Sequence, residues 1–282
     1  MPSYTTLVTV DELAAHVDDP EWCVFDCRHD LADPDRGERA YRTSHIPNAR
    51  FAHLDRDLAG AKTGRIGRHP LPDARAFADW LGRAGMNGGK QVVAYDDAGG
   101  AFAARLWWLM RWVGHRSVAI LDGGFGAWLA AGQPTTDRPL SVVPTHFEGR
   151  PDPSMIVDAT WLEAHLGQPG LRLVDARSPD RYRGENETID PVAGHIPGAV
   201  NRFFKDNLDA EGRFKPAAEL REAFDFIAAG RPASEVVSQC GSGVTACHNL
   251  LAMEIAGLPG ARLYPGSWSE WCSDPRRPIA TG

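Results

Sequence analysis

The sequence predicts an α/β protein built as two tandem domains, each a mainly parallel sheet flanked by helices. Three observations carry that prediction. The chain has 282 residues, 43% apolar and 24% charged, which suits a globular protein of about two ordinary domains with a sizeable core. Short apolar runs alternate with helical periods along both halves, and strand alternating with helix implies a parallel sheet. Finally, the chain repeats itself. Val24-Phe25-Asp26-Cys27-Arg28 answers Leu173-Val174-Asp175-Ala176-Arg177, and His45-Ile46-Pro47-Asn48-Ala49 answers His195-Ile196-Pro197-Gly198-Ala199.

In the first half, Trp22 to Phe25, Gln91 to Tyr95 and Ser117 to Leu121 read as buried strands, and Asp11 to His16, Ala74 to Ala84 and Phe102 to Val113 as helices. In the second half, Arg172 to Val174 and Val236 to Gln239 read as strands, and Thr160 to Leu166, Ala217 to Ala228 and Thr245 to Ala256 as helices. The repeat continues through Gln91–Asp96 against Glu235–Cys240, and through Asp122-Gly-Gly-Phe-x-x-Trp128 against Pro265-Gly-Ser-Trp-x-x-Trp271. Domains over 1–140 and 154–282 follow. The linker between them, 141–153, carries Pro144, Gly149, Pro151 and Pro153 and reads as extended chain.

A net charge of −7 argues against a nucleic-acid surface. No stretch approaches the roughly 18 apolar residues of a membrane span. Met1 to Val10 lacks a basic patch followed by an apolar run, so a cytoplasmic location is expected. The five cysteines form no regular framework, which fits free thiols in a reducing compartment. Cys23-x-x-x-Cys27 has no second pair at ligand spacing, so no metal site is expected.

Cys240 stands out. It ends a predicted strand, is followed by Gly241-Ser242-Gly243-Val244-Thr245-Ala246, and precedes a predicted helix. In parallel sheets, ligands bind at the carboxyl ends of strands. Two glycines let the backbone curl around the thiol, and a curled strand-to-helix loop points N–H groups inward. The helix adds its positive end. Both effects favour thiolate over thiol. The competing reading is a buried structural cysteine at a tight turn.

Cys240-Gly-Ser-Gly-Val-Thr-Ala246 resembles the active loop of mercaptopyruvate sulfurtransferases. Tyr41-x-x-x-His45-Ile-Pro-Asn-Ala49 and Ala261-Arg-Leu-Tyr-Pro-Gly-Ser-Trp-Ser-Glu-Trp271 are similar to the two signatures of the rhodanese family. Asn48 stands where that family usually has glycine. The resemblance spans nearly the whole chain. It implies tandem rhodanese-like domains, the first catalytically inactive and the second catalytic. Asp96 holds the place of Cys240 in the first half, and a carboxylate cannot carry a transferable sulfur.

The resemblance also implies the chemistry. Cys240 takes the sulfane sulfur of 3-mercaptopyruvate or thiosulfate as a persulfide, held by N–H groups of Gly241, Ser242, Gly243, Val244 and Thr245. A thiol acceptor, such as thioredoxin or a low-molecular-weight thiol, or cyanide, then receives it. No metal or organic cofactor is required. Arg181 matches the family's substrate-binding arginine; the competing reading pairs it on the surface with Asp180 or Glu185. Ser242, His69 and Asp55 match a Ser–His–Asp relay, with a loop histidine as the alternative for His69.

Two features disagree about the donor. The side chains after Cys240 are neutral, which suits a monocarboxylate. Yet the segment Glu185 to Asp190 lacks the second arginine usual in mercaptopyruvate enzymes, which keeps a thiosulfate-preferring rhodanese open. A phosphatase of the same fold would need arginine where Ala246 stands. A non-enzymatic sulfur carrier is the remaining rival. Asp26, Arg28, Asp175 and Arg177, repeated in both halves, are expected to form structural ion pairs, and His45 and His195 to lock loops by hydrogen bonds.

Overall fold

A computed structural model describes residues 3–282. Met1 and Pro2, the start of the stretch read for a targeting signal, lie outside the described residues. The described chain forms two compact units. The first comprises residues up to Gly60, Leu71–Asp152 and Glu211–Arg213, and the second Ala61–Pro70, Pro153–Ala210 and Phe214–Gly282. The units therefore do not divide the chain at one place, where the sequence reading cuts it at 140 and 154.

In the first unit, β1 (Leu7–Val8), α1 (Val10–Ala14), β2 (Trp22–Asp26), α2 (Arg36–Thr43) and β3 (Arg50–Phe51) come first. They are followed by α3 (Ala74–Arg83), β4 (Gln91–Tyr95), α4 (Ala103–Trp112), β5 (Val118–Leu121) and α5 (Gly124–Ala130). The strands form one sheet in the order β1-β5-β4-β2-β3, with every described pairing parallel. Parallel strands are covered on both faces, so β2, β4 and β5 are buried at every residue. Helix α4 carries Trp107, Trp108 and Trp112 into the core.

The expected strands Gln91–Tyr95 and Val236–Gln239 and the helix Ala217–Ala228 have their predicted bounds; the other expected elements shift by a residue or two. The proline-rich stretch 141–152 has no regular element but is pinned to the first unit, and a short 3-10 turn, Pro153–Met155, opens the second. Phe147 is buried. The Thr145 and Arg150 N–H groups donate to Gly82 and Val113 carbonyls at 2.8 and 3.0 Å.

The second unit contains α6 (Ala159–His165), β6 (Arg172–Asp175), α7 (Pro179–Arg183), β7 (Val200–Asn201) and α8 (Ala217–Ala228). Then come β8 (Val236–Gln239), α9 (Ala246–Ile255), β9 (Arg262–Leu263) and α10 (Ser267–Trp271). Its sheet order is β7-β6-β8-β9, parallel throughout. Ile156 adds a single parallel bridge to Leu263, where the first unit has its fifth strand. Among the described residues, no helix is long and apolar enough to cross a membrane.

The repeated polar residues are structural in both units. Arg28 and Arg177 each fork onto the aspartate two residues back and reach a loop carbonyl, Ser44 at 2.6 Å and Gly194 at 2.7 Å. The imidazole Nδ1 atoms of His45 and His195 bond to the carbonyls of Tyr41 and Tyr182 at 2.6 and 2.8 Å. The arginines tie the segment ahead of β3 and of β7 back to β2 and β6, and the histidines tie it to α2 and α7.

Candidate active site

The loop after β8 is shaped by its own backbone. Cys240 follows the last residue of β8, and α9 begins at Ala246. Gly243 has φ +78° and packs against the Pro265 carbonyl, so a side chain there meets both strain and a clash. Its N–H donates to Cys240 Sγ at 3.2 Å. The Cys240 carbonyl accepts from Trp268 N–H at 3.0 Å, and its own N–H donates to Ser267 Oγ at 3.1 Å. Ser267 itself has φ +54°, an uncommon conformation for a non-glycine residue. Cys240 is 2% exposed.

The corresponding loop of the first unit shows what such a curl holds. Asp96 is buried, and its carboxylate fills the loop. Oδ1 accepts from the N–H groups of Ala98 and Gly100 at 2.8 and 2.9 Å, and Oδ2 from those of Phe102 and Ala103, both at 2.8 Å. Burial nevertheless raises the carboxyl above its ordinary pKa, against the pull of those four donors. Phe125 N–H caps the Asp96 carbonyl at 2.8 Å, as Trp268 does for Cys240. The fold therefore builds an N–H-lined anion nest at this place.

His69 and Arg68 reach the second unit through its segment Ala61–Pro70. His69 Nδ1 lies 2.7 Å from Ser242 Oγ, with both residues buried. The expected Ser–His contact is therefore present. Asp55 belongs to the first unit. There its N–H donates to His53 Nδ1 at 3.1 Å, and its carboxylate groups with His29 and His53.

Arg181, on α7, is not a surface arginine paired with Asp180 or Glu185. Its Nε and Nη2 fork onto Glu187 at 3.1 and 2.8 Å, and Nη2 also reaches Asp190 at 3.2 Å. Asp190 is bound in turn by Arg68 Nη1. A Cβ added to Gly241 would stand 2.8 Å from Arg68 Nη2 and 3.6 Å from both terminal nitrogens of Arg181. Two guanidiniums thus lie against the residue next to Cys240. Burial lowers the Arg68 pKa from its ordinary value, and the nearby Cys240 opposes that shift.

Arg68 is the residue that sequence reasoning missed. The side chains after Cys240 are neutral, and of the cations beside them only Arg181 was expected. The cations come instead from distant parts of the chain. The one signal for Arg68 was its place beside His69 in Arg68-His69-Pro70-Leu71-Pro72.

The geometry is that of a buried thiol accepting an N–H from its own glycine loop, with a Ser–His pair and two arginines beside that loop. A rhodanese-like domain model matches residues 9–131 and again 158–274. A probable 3-mercaptopyruvate sulfurtransferase of Pseudomonas aeruginosa is 54% identical over 282 residues, covering 99% of each chain. The human 3-mercaptopyruvate sulfurtransferase is 38% identical over 83% of this chain and 78% of its own. The crystal structure of the Escherichia coli 3-mercaptopyruvate sulfotransferase SseA superposes with a TM-score of 0.82 at 31% identity, covering 94% of this chain and 99% of SseA.

The chain belongs to the rhodanese-like family and carries two copies of its domain. It is a sulfurtransferase, an enzyme that passes sulfur from a donor to a thiol acceptor.

Proposed function

We propose that this enzyme takes the sulfur of 3-mercaptopyruvate onto Cys240 and delivers it to a thiol. The observation that carries the choice of donor is the 2.7 Å contact between His69 Nδ1 and Ser242 Oγ, two residues after the cysteine. Sulfur leaving a carbon atom needs a proton for that carbon, and sulfur leaving sulfite does not.

In the first step the Cys240 thiolate attacks the donor sulfur. The donor C–S bond breaks, its electron pair stays on carbon as the pyruvate enolate, and the enzyme holds a persulfide. The Ser242–His69 pair relays the proton that turns the enolate into pyruvate. Arg181 and Arg68 grip the donor carboxylate through the nitrogens turned towards Gly241. The N–H groups from Gly241 to Thr245 hold the terminal sulfur as Asp96 is held in the first unit. In the second step an acceptor thiolate, from thioredoxin or a low-molecular-weight thiol, attacks that sulfur and releases the Cys240 thiolate. Cyanide serves in its place.

The first domain is catalytically inactive, because Asp96 offers no sulfur nucleophile. Five free cysteines fit a reducing, cytoplasmic setting. A second reading, thiosulfate as the better donor, is favoured by one observation: two arginines are set beside Gly241, as a dianion would need.

The test is intact-protein mass spectrometry after exposure to each donor, with steady-state kinetics for both. A gain of one sulfur atom is expected with 3-mercaptopyruvate and none in Cys240→Ser. No sulfur gain from either donor would sink the proposal; a large kinetic advantage for thiosulfate would reverse the donor assignment.

A further inference from the structure

We infer that Glu187 and Asp190 select the donor by charge, neutralising the two arginines that face the cysteine loop. The inference deepens the proposed function and rests on it.

The two carboxylates are almost completely buried, with side chains 2% and 3% exposed. Buried carboxylates persist only when paired and hydrogen-bonded, and both are. Glu187 takes the fork of Arg181 and a longer contact from Arg177 Nη1 at 3.4 Å, and its Oε1 also accepts from the N–H groups of Ile189 and Asp190 at 2.9 and 3.0 Å. Asp190 bridges Arg181 and Arg68. With the Arg177–Asp175 pair, the guanidiniums of Arg68, Arg177 and Arg181 meet the carboxylates of Asp175, Glu187 and Asp190. Positive and negative charges balance before any donor arrives.

A balanced site still offers hydrogen bonds. Arg181 Nη1 and Arg68 Nη2 face Gly241 rather than the carboxylates. They can donate to one carboxylate of a monoanionic donor. A dianion would bring a second negative charge with no counter-charge, beside a cysteine that must itself be a thiolate. Removing either Glu187 or Asp190 as a charge leaves one unit of positive charge for the dianion to use. Were these carboxylates only pins that hold the arginines in place, their loss would affect both donors alike.

The test compares Glu187→Gln and Asp190→Asn, each of which keeps an acceptor oxygen in place, with the unsubstituted enzyme. The readout is kcat/KM for thiosulfate and for 3-mercaptopyruvate, with cyanide as the acceptor. The thiosulfate-to-mercaptopyruvate ratio should rise about tenfold in each variant, the size of one charge acting over a few ångströms in a half-buried site. The change should lie mainly in the thiosulfate KM and shrink at high salt. Calorimetric binding of sulfate should tighten more than that of pyruvate, since the interaction scales with the charge of the ligand. A ratio unchanged in both variants, with parallel losses on both donors, overturns the inference. Failure of the functional proposal looks different: the unsubstituted enzyme would use neither donor, while sulfate and pyruvate binding would still report on the charge of the site. If one variant does not fold, the other and the binding data decide.

Discussion

Replacing Asp96 by alanine is the sharpest test of how this fold builds its strand-to-helix loops. The carboxylate is 1% exposed and satisfies the N–H groups of Ala98, Gly100, Phe102 and Ala103. Hydrogen bonds to a charged acceptor contribute about 1.5–3 kcal/mol each. Their sum is offset by the several kcal/mol that burying a carboxylate costs, and the raised pKa of Asp96 shows that this cost is felt. Alanine removes both terms but leaves four N–H donors inside a buried loop. The net loss should be about 3–5 kcal/mol, the usual result of breaking a buried charged network. For a domain of this size that lowers Tm by about 10–15 °C. Scanning calorimetry and native-state hydrogen exchange would measure it. The four amides should lose protection together, while those of β8 keep theirs. A loss below about 1 kcal/mol, with the four amides still protected, would refute the claim that the carboxylate organises the loop.

Two further outcomes follow from the geometry. Arg68→Met should raise the donor KM about 10- to 100-fold, the worth of one charge-assisted contact. Unchanged donor kinetics would remove Arg68 from the site. In the first unit, burial lowers the pKa of both His53 and His115. A histidine whose folded pKa is depressed favours the folded state above its ordinary pKa and loses that contribution as pH falls towards the folded value. Thermal stability of this unit should therefore be full above about pH 6.5 and decline below it. His115→Gln should flatten the decline, and an identical pH profile in that variant would discount the histidine.

Much of this architecture was legible in the sequence because parallel strands leave a strong trace. Buried on both faces, β4 and β8 are short apolar runs of four or five residues with sharp ends. The two-residue strands β1, β3, β7 and β9 left no such trace, since they take their order from the neighbours they pair with. Cys240 and Ser242 were readable because strand, glycines and helix are contiguous. Arg68 was not, because its relation to Cys240 is set by the path of a loop from the other half of the chain. The same limit applies to charge. The neutral residues after Cys240 describe the loop and not its surroundings: beside the expected Arg181 stands Arg68, and the counter-ions of the two are Glu187 and Asp190.

The passage of Ala61–Pro70 into the second unit has a consequence for how such a repeat can evolve. A duplicated gene usually leaves two separable copies, either of which can decay or be lost. Here the copy that lacks a sulfur nucleophile supplies Arg68 and His69 to the unit that has one. A fragment beginning at residue 154 would keep the sheet, Cys240 and Arg181, yet lack both of those side chains. Deleting the first half down to Asp152 would therefore also take residues out of the second unit, and selection on that unit would be enough to keep the duplication intact.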